Sequence, residues 1–191
     1  MLTGNPVIDA IFQRRSVRSY LDKPVDTETI TLLLKAAMAA PSASNSQPLE
    51  FLVITQDETL QKIRSKMRFA NYNAPAAIVV LGNPEIANNS SGKHFWQQDG
   101  SAAIQNILIA TVGLGLGAVW IGVHPIPPFE RTVRQILSLP DEVNPLGIVY
   151  IGYPAETPPP RTQYNEKVIY WETYEHRKHR KKNHNAKHDQ D

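Results

Sequence analysis

Cysteine is absent from the 191 residues. That excludes a disulfide scaffold, a Cys-based zinc finger, an iron–sulfur centre and a thiol nucleophile, and it fits a reducing compartment. No apolar run approaches the roughly 18 residues that a membrane-spanning helix requires. The opening Met1-Leu2-Thr3-Gly4-Asn5-Pro6 lacks the basic and then apolar pattern of a secretion signal. A cytoplasmic location is therefore expected, and the glycosylation-like Asn88-Asn89-Ser90 and Asn89-Ser90-Ser91 carry no meaning there. Walker A, H-E-x-x-H and G-x-S-x-G sequences are all missing.

What is present suits a globular domain. Hydrophobic residues make up 41% and charged residues 20%, enough apolar material for a core and too little charge for global disorder. The formal net charge is +2, but it is unevenly placed. Residues 175–191 hold six Lys/Arg against three Asp/Glu, so this tail carries +3 and the preceding 174 residues carry −1. Four of the six histidines also lie there: His176, His179, His184 and His188. The expected organisation is a domain over 1–174 and a disordered basic tail over 175–191. An anion-binding arm or a loose metal site at His176 and His179 are the alternatives. A nucleic-acid role has no support outside the tail.

Helix and strand signals alternate along the chain. Asn5-Pro6 reads as a cap and first helical position, with Val7, Ile8, Ile11 and Phe12 forming an apolar face. Asp26 caps a second helix carrying Ile30, Leu33, Leu34 and Ala37, which Pro41 stops. Strands are expected at 51–55, 77–81, 118–123 and 146–151. Further helices are expected after a cap at Asp57, from about Phe95 to Val112, and over 128–138. Alternation by itself predicts a mainly parallel sheet. Pro158-Pro159-Pro160 sends the chain away along an extended path, towards a partner subunit.

Three stretches could carry chemistry. Arg14-Arg15-Ser16-Val17-Arg18 offers planar forks of donors suited to phosphate oxygens. If extended, it puts Arg14, Ser16 and Arg18 on one face; a solvated basic turn is the competing reading. Pro41-Ser42-Ala43-Ser44-Asn45-Ser46-Gln47-Pro48 is a small polar loop whose amides can pair with a heterocycle, or merely a connection. Gly113-Leu114-Gly115-Leu116-Gly117-Ala118 fits the dinucleotide pattern in letters, but a helix precedes it and a strand follows, the reverse of what that fingerprint needs. His94 and His124 lack metal spacing, and His124 reads as structural or pocket-lining. Asp99 is one possible acid, with a helix cap as the favoured reading of a lone acidic residue near a helix start.

Together these stretches resemble the flavin-dependent nitroreductase family over roughly residues 5–165. Arg14 to Arg18 looks like its R-R-S-x-R opening, and Ala40 to Pro48 like its A-P-S-x-x-N-x-Q-P loop. Gly115 to Gly122 resembles G-L-G-x-x-W-x-G, and Ile151-Gly152-Tyr153-Pro154 through Pro159-Pro160-Arg161 resembles I-G-Y-P…P-P-R. The resemblance implies an α+β three-layer sandwich with a mixed, largely antiparallel central sheet, in place of the parallel one. It also implies an intertwined homodimer with FMN at the interface and NADH or NADPH as electron donor.

By position, Arg14, Ser16 and Arg161 would hold the phosphate, Arg15 would act mainly through its backbone, and Arg18 would reach the flavin pyrimidine ring. Pro41, Ser42, Ala43, Asn45 and Gln47 would come from the other subunit. Ile121 and Gly122 would pass their backbone against the ring, and Arg68 is a further candidate contact. The implied activity is hydride passage through FMN to a nitroaromatic, quinone, enone or flavin in a ping-pong cycle. A flavin-binding sensor or carrier is the alternative.

Overall fold

The computed structural model describes residues 2–174. The tail readings at 175–191, including His176, His179, His184 and His188, lie outside the described residues. Contacts divide the chain at Arg161/Thr162. The second unit holds a short turn at Glu166–Val168, capped by the Asn165 side chain, and a Tyr170–Tyr174 ring pair with centroids 4.4 Å apart.

The first unit contains five α-helices and four strands. In chain order they are α1 (Pro6–Gln13), α2 (Thr27–Met38), β1 (Leu49–Ile54), α3 (Asp57–Lys66), β2 (Ala76–Gly82), α4 (Ser91–Gly113), β3 (Gly117–Gly122), α5 (Pro127–Leu137) and β4 (Asn144–Gly152). Two helix starts follow directly from side-chain chemistry. The Asn5 carboxamide accepts from the Val7 and Ile8 N–H groups, and the Asp26 carboxylate from the Thr29 N–H, so both satisfy donors the helix leaves free. The Thr29 main-chain N–H holds the Asp26 carboxyl below its usual range. Asp57 departs from expectation: Gln56 occupies the cap position, and Asp57 is the first helical residue, accepting from Gln61.

The strands form one sheet in the order β1-β2-β4-β3, and every neighbouring pair is antiparallel. The parallel sheet expected from alternation is thus corrected, and the α+β reading holds. The cause is visible in β2 and β4. Every residue of β2 is buried, so its sequence is one apolar run. Such a run reports that both faces are covered and is silent on strand direction.

The covering layers alternate residue by residue. Ala77, Val79 and Leu81 pack with Leu60 and Ile63 of α3 and Val133 of α5. Ala76, Ile78 and Val80 pack on the opposite face with Leu33 of α2 and Ile104 and Ile107 of α4. Three layers result. Burial pushes the Tyr150 phenol, in the first of these clusters, up to about 12.

Two irregularities shape the end of the sheet near Gly122. The register shifts so that Val80 faces Gly147 and Leu81 faces Pro145, leaving Leu146 as the extra residue of a bulge. The Leu146 carbonyl then accepts from both Val123 and His124 N–H, each at 3.1 Å, which fixes the chain leaving β3. Gly82 lies under the Trp96 ring, where an added Cβ would sit 2.2 Å from Cε3. Trp96 is only 6% exposed and cannot swing into solvent. Gly82→Ala should therefore destabilise the fold by about 2–3 kcal/mol through overpacking. A denaturant titration reads this as a lower midpoint at unchanged slope.

Candidate functional site

The cationic stretch leaves α1 in extended conformation: Arg14, the residue that ends the helix, has φ −57° and ψ 121°. Ser16 bridges Ala118 in parallel, and the Val17 N–H donates to the Ala118 carbonyl at 3.0 Å, so the stretch lies along the outer edge of β3. Gly117 permits the approach, since a Cβ there would stand 2.7 Å from Val17. Val17 is buried in the core while Arg18 is exposed, the alternation an extended strand imposes. Beyond it, Leu21 N–H donates to the Tyr153 carbonyl and Ala155 N–H to the Ser19 carbonyl. Arg18 is thereby presented between two anchored points.

The proline-rich segment returns to the same place. The Arg15 guanidinium donates to the Pro159 carbonyl, and the Arg161 N–H donates to the Phe12 carbonyl at 3.1 Å. The Arg161 main chain is thus brought to the end of α1. Among the described residues no carboxylate or hydrogen-bond acceptor engages the Arg14 or Arg161 guanidinium. Arg18 makes one long contact, Nη1 to the Ser16 carbonyl at 3.4 Å. The segments that carry Arg14, Ser16, Arg18 and Arg161 thus meet along the β3 edge and the end of α1.

Ile121 and Gly122 close β3 on that edge. The Ile121 side chain is buried in the core, leaving its main chain as the usable part. Gly122 is exposed, and a Cβ built there meets nothing within 4 Å. The glycine run before β3 behaves as a helix terminus, with Gly115 at φ +67°.

The polar loop sits elsewhere. It leads into β1, which is the other edge of the sheet, three strand spacings or about 14 Å from β3. Pro41, Ser42, Asn45 and Gln47 line a cavity of ≈ 380 Å³ with Met38 and Phe51; Ala43 does not. The loop is tightly wound: Ser44, Asn45 and Gln47 have φ of 50°, 51° and 51°. Left-handed conformations cost L-residues roughly 1–2 kcal/mol apiece, so a surrounding frame must hold them.

That frame was missed in the sequence. Asp99 lies well inside α4 and is 5% exposed, so the expected cap is corrected. It accepts from the Ala43 N–H at 2.9 Å and from the Ser46 hydroxyl at 3.4 Å. Asn88 Nδ2 donates to the Asn45 carbonyl and the Gln47 side chain, and Asn89 Nδ2 to the Ser44 carbonyl. The only available signal was a lone acidic residue within a long helix.

His124 is anchored. Its Nδ1 lies 2.6 Å from Glu130 Oε1, and its ring meets Trp96 edge-on at 4.8 Å between centroids. No cluster of three metal-type side chains occurs among the described residues. The Arg68 side chain is outside the described set.

Comparison with known proteins follows the same geometry. The profile described as Nitroreductase family matches residues 11–71 and 65–153. A protein of Methanothermobacter thermautotrophicus named as an NADH dehydrogenase/NAD(P)H nitroreductase is 39% identical over 170 residues, covering 88% of this chain and 87% of that one. A crystal structure carrying the same name, from Bacteroides thetaiotaomicron, superposes with a TM-score of 0.83 at 39% identity, covering 90% of this chain and 100% of the other. A Desulfovibrio desulfuricans nitroreductase crystallised in complex with FMN gives a TM-score of 0.75 at 31% identity, covering 91% and 100%. With the sheet order, the cationic edge and the polar loop all carried by a sequence that aligns along most of its length, this chain belongs to the nitroreductase family.

Proposed function

We propose that this protein is an NAD(P)H-dependent FMN oxidoreductase whose cofactor is gripped jointly by two copies of the chain. One observation carries the reading. The Arg14 and Arg161 guanidiniums have no acceptor among the described residues, their segments meet where the Arg161 N–H donates to the Phe12 carbonyl, and Gly122, farther along the same edge strand, has an open Cβ direction. A phosphate-bearing, flat group fits such a place: forks of N–H donors suit the phosphate, and bare backbone admits the ring. The name of the FMN-bound relative supports the choice of cofactor.

When bound, FMN would supply a two-electron carrier between a reduced nicotinamide and a second, oxidised substrate. The chain's residues do the rest. Arg14, Ser16 and Arg161 hold the phosphate. Arg15 pins the proline strap, keeping Arg161 in reach. Arg18 places a permanent positive charge where the pyrimidine end gains negative charge. The Ile121 and Gly122 backbone orients the ring and leaves its face uncovered.

Because the polar loop and the cationic edge lie on opposite sides of the sheet, Pro41, Ser42, Ala43, Asn45 and Gln47 serve the cofactor held by the second copy. Donor and acceptor occupy the same space in turn, a ping-pong order. The acceptor belongs to the nitroaromatic, quinone, enone or flavin group.

The test is an absorption spectrum of the purified protein followed by anaerobic titration with NADH and NADPH. A yellow protein bleached by either nucleotide is the expected result. A colourless protein that stays so after FMN is added overturns the reading; one that is yellow but barely reduced by either nucleotide points to a flavin carrier.

A further inference from the structure

We infer that Asp99 is a positioning residue for the cofactor, acting through the strained 42–47 loop that it holds from α4; this rests on the reading above. The loop's main chain is almost fully committed within its own protomer. The Ala43 N–H goes to Asp99, Asn45 N–H to the Ser42 carbonyl, Ser46 N–H to the Ala43 carbonyl, and Gln47 N–H to Ser42 Oγ. The carbonyls of Ser44, Asn45 and Ser46 accept from Asn89 Nδ2, Asn88 Nδ2 and the Asn88 N–H respectively. Among the groups left to read a ligand are the exposed amides of Asn45 and Gln47, which themselves touch, Gln47 Nε2 donating to Asn45 Oδ1 at 3.3 Å.

An amide can distinguish a donor from an acceptor on a heterocycle only if its carrier backbone is fixed. Three left-handed L-residues in four positions do not fix themselves. Asp99 is suited to do so. It is 5% exposed, both of its hydrogen bonds run to this loop, and no cation pairs with it among the described residues. A buried carboxylate without a cation is a poor way to stabilise a helix core. Its use is to set the loop that faces the second copy's flavin.

The experiment compares full-length wild type, Asp99→Leu, Asp99→Asn and Asn88→Ala for FMN dissociation constant and, in the apo protein, amide hydrogen exchange over residues 42–47. Leucine keeps the branched skeleton, though larger, and removes both acceptors, so FMN should bind at least 30-fold more weakly, with loop exchange at least tenfold faster. Asparagine keeps an acceptor for the Ala43 N–H and should return the dissociation constant to within threefold of wild type. Asn88→Ala, an exposed change, should weaken FMN about fivefold.

An Asp99→Leu protein with wild-type FMN affinity overturns the inference while leaving the proposed function intact. If that variant does not fold, wild-type affinity in Asn88→Ala does the same. Wild-type protein that takes up no FMN overturns both.

Discussion

Replacing Arg14 or Arg161 with alanine is expected to weaken FMN binding by about 30- to 100-fold, with the rate of flavin reduction at saturating FMN changed less than threefold. Each guanidinium is assigned a charge-assisted hydrogen bond to phosphate, worth about 1.5–3 kcal/mol, and each 1.4 kcal/mol is tenfold in affinity. The substitution is clean because neither group has a protein acceptor among the described residues, so no buried partner is orphaned and the thermal midpoint of the apo protein should hold. Lysine at either place restores charge but loses the planar fork, and should recover only part of the loss. The two residues share one ligand, so the double variant should fall short of the product of the single effects. Fluorescence titration of apo protein with FMN decides the matter. Unchanged binding in both single variants would remove the phosphate assignment.

Arg18→Ala should invert that pattern. Hydride transfer is expected to slow by about 100-fold while FMN affinity falls less than tenfold. Arg18 is exposed, and its one contact, to the Ser16 carbonyl, is a long 3.4 Å. It therefore contributes little to holding the edge together. Its proposed work is electrostatic: a fixed cation aimed at a place that becomes negative only on reduction, the kind of group whose removal costs about 10²–10³ in rate. Stopped-flow bleaching of the flavin by NADH measures it directly. A variant reduced at the wild-type rate would assign Arg18 to binding or to nothing.

The sequence was informative where the physics is local. The side chains of Asn5 and Asp26 cap helices two and three residues away, and such bonds follow from short spacing. The cationic stretch was legible because extended backbone imposes a period of two, and Val17 and Arg18 obey it. Strand direction was not legible, because β2 and β4 are covered on both faces and their apolar runs read the same either way.

Asp99 failed for a related reason. Its partner Ala43 lies 56 residues away in sequence, and nothing in the neighbourhood of an acidic residue on a helix reveals a bond of that range. The loop it holds was legible as a candidate from its composition, whereas its left-handed turns were not, since no glycine marks them.

The hydrogen bond that ties the strap back to the extended stretch after the first helix joins Arg15 and Pro159, positions 144 residues apart. Nearly all of the chain must emerge from the ribosome before that corner can close. The corner therefore belongs to the long-range contacts that form only after all four strands have been made.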